Sequence, residues 1–251
     1  AQSVNEDSSL RLNNSNRVSV GDVDDNNLST TLSVEHGVLN LGSTFGITVT
    51  GNGTGSLTLS GNKNLINIAL NGLRYAPTAD YDGTDTLTVT TTDGELTDVD
   101  TVGITVNPVN DAPVNSVPAA IDVIEDVASA ITGISIADSD ANGGNMTVTL
   151  AVGAGTLSAA SAAGVTVADS GTGSLQLTGT VSDINAFIAN SNVSYTTVQN
   201  ANGTVGLTIS TNDNGNTGLG GAKSDTDTLT LNITPVNDAP VGVANSITID
   251  E

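Results

Sequence analysis

The chain has 251 residues, 27 acidic and five basic side chains and a net charge of −22, so no basic stripe exists to meet nucleic-acid phosphates and anionic membrane surfaces are disfavoured. It has no cysteine and one histidine, which removes disulfides, zinc sites and Cys–His nucleophiles. With two Phe, three Tyr and no Trp the core is thin, and direct membrane insertion is not expected because no run of 18 apolar residues occurs.

In chain order, the first landmark is the acidic pair Glu6-Asp7, followed by Asp22-Val-Asp24 leading into an apolar run. Gly46-Ile-Thr-Val49 and Gly53-Thr-Gly-Ser-Leu-Thr-Leu59 come next, and Ser56–Leu59 alternates apolar with hydroxyl residues as a half-buried strand does. Asn64–Leu70 reads as a short helix, Tyr75 follows, and Leu87–Val89 and Val102–Val106 read as strands around Thr-Thr-Asp93-Gly and Asp98-Val-Asp100. Pro108-Val-Asn-Asp-Ala-Pro-Val114 closes the series.

The series then repeats. Glu125-Asp126 answers Glu6-Asp7, Asp138-Ser-Asp140 answers Asp22-Val-Asp24, Gly164–Val167 answers Gly46–Val49, and Gly171–Leu177 answers Gly53–Leu59. Met146–Leu150, Leu207–Ile209 and Leu229–Ile233 read as strands. Ser182-Asp-Ile-Asn-Ala-Phe-Ile places Ile184, Phe187 and Ile188 at i, i+3 and i+4 behind a Ser182 cap, which predicts a helix. Asp213 answers Asp93, and a glycine-rich stretch, Asn212–Asp225, lengthens the second unit where the first has Thr92–Asp98. The seven residues Pro-Val-Asn-Asp-Ala-Pro-Val return at Pro235–Val241, 127 residues after their first appearance. The pattern predicts tandem all-β sandwiches, each with one short helix: residues 1–113, residues 114–240, and the start of a third unit at 241–251 ending in Asp250-Glu251. A chain that starts and stops inside such a pattern is expected to be part of a longer array.

The acids cluster in short loops. Calcium takes six to eight hard oxygens at loosely constrained geometry, and carboxylates from several loops supply them. Asp and Asn also make Asx-turns in all-β proteins, which is the competing reading of each single motif. Asp138-x-Asp140-x-Asn142-Gly143 starts like an EF-hand loop, but Thr149 stands at the twelfth position where a bidentate Glu is needed, so an EF-hand is excluded.

The order Glu, Asp-x-Asp with a following Asn, Asp-x-Gly, then Asn-Asp-x-Pro resembles cadherin repeats. It is more similar still to the cadherin-like repeats of giant bacterial surface adhesins of the repeats-in-toxin type, whose units commonly end in Val-Asn-Asp-Ala-Pro. The resemblance implies an extracellular chain with calcium at the joints between repeats. One joint would use Glu6, Asn110, Asp111, Asp138, Asp140 and Asp213, with Asn145 offering a carbonyl. The next would begin with Glu125, Asn237 and Asp238, a set with fewer carboxylates and weaker expected binding, while Asp22, Asp24 and Asp93 would face a preceding domain. The chain departs from animal cadherins at Asp80-Tyr-Asp82, which has no acidic counterpart in Gln199–Asn202, and in carrying the helices.

No enzyme is expected. His36, in Val34-Glu-His-Gly37, reads as a solvated turn residue, and Gly218–Ser224 departs from a phosphate-binding loop at Ala222. Lys63 and Lys223 lie in polar stretches unsuited to a buried isopeptide crosslink. The expected function is that of calcium-stiffened extender repeats whose partners are neighbouring repeats of the same chain. The alternatives are a binding module for a cell-surface glycan or a like domain, with the Asn212–Asp225 loop as its surface, and a subunit of a polymeric surface fibre.

Overall fold

The computed structural model describes residues 1–240 and 242; the expected third unit at 241–251, with Asp250 and Glu251, lies outside the described residues apart from Gly242. The chain divides into two compact units, Ala1–Asn110 with Thr217–Gly221, and Asp111–Asn216 with Ala222–Glu251. The boundary expected after residue 113 thus falls at residue 110, and a piece of the glycine-rich stretch groups with the first unit. The reason is backbone pairing: Leu219 bridges Val109, its N–H donates to the Pro108 carbonyl at 3.1 Å, and its own carbonyl accepts from the Asn110 N–H at 2.9 Å.

In unit 1 the strands are β1 (Gln2–Asn5), β2 (Leu10–Leu12), β3 (Asn27–Ser33), β4 (Gly37–Asn40), β5 (Thr48–Thr50), β6 (Ser56–Asn62), β7 (Leu73–Pro77), β8 (Gly83–Thr92) and β9 (Thr97–Asn107). They form a six-stranded sheet ordered β1-β9-β8-β3-β6-β5 and a three-stranded sheet β2-β7-β4. Unit 2 repeats this with β10 (Val114–Ser116), β11 (Ala120–Ile124), β12 (Ser129–Ala130), β13 (Ser135–Ala137), β14 (Asn145–Val152), β15 (Thr156–Ser158), β16 (Val165–Ala168), β17 (Ser174–Thr180), β18 (Ser194–Thr196), β19 (Gly203–Asn212) and β20 (Ser224–Thr234). Its sheets run β11-β20-β19-β14-β17-β16 and β12-β18-β15, and β10 pairs with β13 in a further two-stranded sheet. The all-β sandwich expectation holds, and each strand read from alternation lies inside an observed one.

Alternation explains the core. In β6, Leu57 and Leu59 point inward while the intervening hydroxyl residues stay half-exposed, and Leu175 and Leu177 do the same in β17. Tyr75 and Tyr195 are the largest fully buried side chains and occupy matching places in the two cores. Burying each contributes on the order of 2 kcal/mol or more, a large share in a core this poor in aromatics.

Each unit carries one helix, α1 (Lys63–Leu70) and α2 (Val181–Ala189). Ile184, Phe187 and Ile188 are buried as their spacing predicts. The cap, however, is Thr180 and not Ser182: the Thr180 hydroxyl accepts from the Asp183 N–H at 3.2 Å, because the helix begins directly where β17 stops. Each helix holds the backbone of a neighbouring segment through one asparagine. Asn185 bonds the N–H and the carbonyl of Ile136 at 2.8 Å each, and Asn67 does the same for Val20 at 2.9 and 2.8 Å.

Candidate metal centre

The first strand of each sheet's edge runs parallel to the last, and this places the glutamates. In unit 2, β11 pairs with β20 from Ala120↔Thr230 to Ile124↔Thr234, so Glu125 emerges just past the strand end, where its N–H donates to the Thr234 carbonyl at 3.0 Å. Its side chain turns inward to 2% exposure, and Oε2 accepts from the Val236 N–H at 2.9 Å. The other carboxylate oxygen, Oε1, is buried with no hydrogen-bond partner among the described residues. One oxygen from each of Glu125, Asp126 and Asp238 lies within 4.8 Å of the others. Asp126 reaches this position from a left-handed backbone, φ 59°, which aspartate tolerates better than most residues.

A buried carboxylate oxygen without a donor costs several kcal/mol, on the order of 1–3 or more for a charged group. Three convergent carboxylates and that orphaned oxygen match what a hard divalent cation requires of its donors. Calcium fits this set; zinc does not, since nitrogen and sulfur ligands are lacking. Asn237, the remaining residue expected here, is exposed.

Unit 1 builds the same corner from Glu6. Its N–H donates to the Asn107 carbonyl at 3.1 Å, and its Oε1 accepts from the Val109 N–H at 2.6 Å. Asn110 is buried and its side-chain amide donates to the Gly221 carbonyl at 3.0 Å.

A second acidic group in unit 2 lies at the other end of β20, roughly 33 Å away for eleven residues of strand. Asp138 turns the chain through its Oδ1, which accepts from the Asp140 N–H at 2.8 Å, while its Oδ2 is buried with no hydrogen-bond partner among the described residues. Asp140 is buried and accepts a short hydrogen bond from the Asp111 N–H. Asp213 is fully buried, its Oδ1 receiving the N–H groups of Gly215 and Lys223 at 2.8 Å each. Burial pushes the Asp138 carboxyl above the usual carboxylate range; the Asp140 N–H opposes this, and the charges of Asp140 and Asp213 add to the rise. Lys223 brings its ammonium to 4.0 Å from Asp111.

Asn145 stands beside this group, but its carbonyl accepts from the side-chain amides of Asn214 at 2.9 Å and Asn216 at 3.3 Å. The carbonyl expected to face an ion is therefore already engaged by two donors. Asn142, in the left-handed region at φ 42°, closes the same loop.

In unit 1 the matching residues are more open. Asp22 Oδ1 accepts from the N–H groups of Asp24 and Asp25 at 2.8 and 2.7 Å, and Asp93 Oδ1 accepts from Glu95 and Leu96 at 2.7 and 2.8 Å. The Leu96 and Glu95 donors hold the Asp93 carboxyl below its ordinary range. Lys63 sends its ammonium to the Asp22 and Asp25 carbonyls at 2.6 and 2.9 Å, so a cation already serves this loop.

The sequence reading missed Asp126 as a partner of Glu125. The signal was present in the recurrence of Glu-Asp at 6–7 and 125–126. His36 is not merely solvated: it stacks on Tyr81 with ring centroids 4.0 Å apart and planes 11° from parallel.

No family model and no curated relative matches the chain. Among solved structures it is similar to human mucin-like protocadherin EC1-2, at 16% identity over 94% of this chain and 95% of that one, with a TM-score of 0.37. Human protocadherin-24 EC1-2 gives 15% identity over 93% and 95%, with a TM-score of 0.36. The extracellular cadherin domains 1–5 of protocadherin gamma B2 give 14% identity over 82% of this chain at a TM-score of 0.35, and this chain spans 34% of that one. At such scores the likeness carries no functional weight, and the fold stands on the strand topology given above. By that topology the chain is a tandem pair of β-sandwich repeats. Among the described residues no helix is long and apolar enough to cross a membrane.

Proposed function

We propose that the chain is a pair of calcium-stabilised extender repeats from a large extracellular surface adhesin, and that it is not an enzyme. The observation that carries this reading is the Glu125 corner, where a buried carboxylate with an unpartnered oxygen meets Asp126 and Asp238. Unit 2 has carboxylate groups at both ends of β20, the arrangement a repeat needs if ions are to be placed at its junctions with neighbours. Without cations, like charges at a junction repel and the short Asn-Asp-Ala-Pro connector hinges. With calcium bound, the ligands are neutralised and the connector is fixed, so an array of such repeats becomes a stiff spacer. Extracellular modules of this kind bind in the range of about 10⁻⁴–10⁻³ M, which matches millimolar external calcium.

Calorimetry of the chain in chelator, magnesium and calcium tests the metal. The expected result is a calcium-dependent rise of several degrees that Glu125→Gln removes. Small-angle scattering tests the mechanical part: calcium should lengthen and straighten the particle. Identical melting curves with and without calcium would defeat the proposal.

A further inference from the structure

Two arginines of unit 1 stand where sheet stability alone would not put them. Arg11 of β2 and Arg74 of β7 are direct cross-strand partners. Both are exposed on the outer face of the three-stranded sheet, while Leu12, Leu73 and Tyr75 beside them turn into the core. Like charges directly opposite one another on neighbouring strands destabilise the pairing. A nearby carboxylate would relieve the repulsion, and the chain has 27 acidic side chains from which to draw one. None is used here. Among the described residues no carboxylate oxygen lies within 4.0 Å of either guanidinium, where the one ion pair is that of Lys223 with Asp111. Strands β2, β4 and β7 carry no acid, and none occurs anywhere from His36 to Ala79.

The fold does not require this pair. Leu10 faces Tyr75 in unit 1 as Ser129 faces Tyr195 in unit 2, so Ala130 and Ser194 stand in the places of Arg11 and Arg74. Unit 2 thus builds the same sheet with a methyl group and a hydroxyl at this spot.

Both guanidiniums are also held in place. Gly72, two residues before Arg74 and on the same face, is buried under the Arg11 side chain. A Cβ there would come to 3.1 Å from Nη2 of Arg11 and 3.3 Å from its Nε, so the missing side chain is what lets the Arg11 fork lie down beside Arg74. Arg74 sends Nη1 to the Ser9 hydroxyl at 3.3 Å. Asn40 faces Arg74 from β4 and extends the row with a neutral amide.

We propose that Arg11 and Arg74 form a binding site for a single oxyanion group, a sulfate or a carboxylate, borne by a ligand that is otherwise uncharged. Guanidinium forks match the spacing of such oxygens and donate two hydrogen bonds at a time. An anion lying between them cancels the repulsion that the bare pair suffers. The charge of the whole chain, −22, sets the size of the ligand. A polyanion would run past the pair onto acidic surface and be repelled, whereas a single group meets two cations on an acid-free sheet. The site needs no metal and is independent of the Glu125 corner.

Titration of the isotope-labelled full chain, followed at the arginine Nε–H resonances, tests this. Sodium sulfate replaces chloride at constant ionic strength, in chelator and again in calcium. The expected result is saturable movement of Arg11 and Arg74 in the millimolar range, with Arg17, an exposed arginine outside the strands, unmoved. Methyl sulfate and acetate, which carry one anionic group on an apolar stem, should saturate the same two resonances. Arg11→Ala should weaken binding several-fold, and so should Arg74→Lys, which keeps the charge but loses the fork. Arg11→Ala with Arg74→Ser, the pair of residues that unit 2 carries, should abolish the response at the Ser9 and Asn40 amides without lowering the melting transition. Shifts that never saturate, that Arg17 shares in full, or that survive the double replacement overturn the proposal. Saturation by sulfate but by neither methyl sulfate nor acetate overturns it too, because the site then takes the free dianion only.

Discussion

The two units share a strand order yet hold the same tyrosine in different ways. Tyr75 in unit 1 donates to the Asp85 carboxylate at 2.9 Å, and that carboxylate also accepts from the N–H groups of Glu35 at 3.1 Å, His36 at 3.0 Å and Thr86 at 2.7 Å. In unit 2 the tyrosine, Tyr195, donates to the Ala154 carbonyl at 2.9 Å, and Val205 occupies the strand position of Asp85. One sandwich is thus fastened at this corner by a buried charge and the other by apolar packing with a single neutral bond. The lesson is that strand order tolerates either solution, but their dependence on conditions differs. A buried carboxylate held by four donors is sensitive to protonation, whereas valine is not.

The cation corner gives the largest expected contrast. For a site bound at 100 times its dissociation constant, linkage stabilises by about 2.7 kcal/mol, so Glu125→Gln should lower the calcium-saturated transition of unit 2 by several degrees. In chelator the same change should be neutral or stabilising, because it removes an uncompensated buried charge while leaving an oxygen for the Val236 N–H. Melting curves in both buffers check the two signs together.

Next in size is Asp85→Asn, expected to destabilise unit 1 by about 1–3 kcal/mol through loss of charge-assisted bonds. Burial raises the Asp85 carboxyl, but the Glu35 N–H, the Tyr75 hydroxyl and the His36 and Thr86 N–H groups outweigh it and leave it below its ordinary range. A depressed carboxyl contributes stability above its unfolded value, near 4, and loses it as pH falls through the folded value. Protection factors of the Glu35 and His36 amides, taken relative to intrinsic exchange at each pH, should therefore fall on acidification in the native chain and lose much of that pH dependence in Asp85→Asn. Unit 2 amides near Val205 should be indifferent to the substitution. Tyr75, pushed upward by burial and then by Asp85, stays protonated throughout.

The hairpins differ as well, and here the expected effect is smaller. Thr92–Thr97 turns tightly through Asp93, whereas the longer stretch before β20 sends residues 217–221 into unit 1. Gly218 has φ +89°, and a Cβ there would come within 2.4 Å of the Asn110 nitrogen. Gly218→Ala should cost about 1 kcal/mol or more locally, seen as faster exchange of the Asn110 and Leu219 amides with no change in the tight hairpin. This pairing also argues against the loop as a free ligand-binding surface.

Smallest is the effect of the two lysines. An ammonium about 4 Å from a carboxylate in water is worth about 1 kcal/mol before screening. Lys223→Met should therefore raise calcium affinity of unit 2 about two- to fivefold in a low-salt titration. Lys63→Met should instead loosen the Asp22–Asp25 turn, whose carbonyls it serves, and increase exchange there.

What the sequence determined by itself was everything set by near neighbours. Strands followed from alternation at Ser56–Leu59 or Leu229–Ile233, helices from the spacing of Ile184, Phe187 and Ile188, and turns from Asp22, Asp93 and Asp138, whose side chains bond N–H groups two or three residues on. The repeat itself was legible because Pro-Val-Asn-Asp-Ala-Pro-Val is copied without change. The acids were legible as a group, and Glu125 and Asp238, which the sequence places in one set with Asn237, bring carboxylate oxygens within 4.8 Å of each other. Only tertiary structure could add Asp126, withdraw the Asn145 carbonyl into two side-chain bonds, or stack His36 on Tyr81. Each of these depends on strand register between residues some 40 to 110 positions apart, and a one-residue slip in register reverses which face every side chain occupies. Local sequence encodes the pleat and the turns, and only the pairing decides which carboxylates meet.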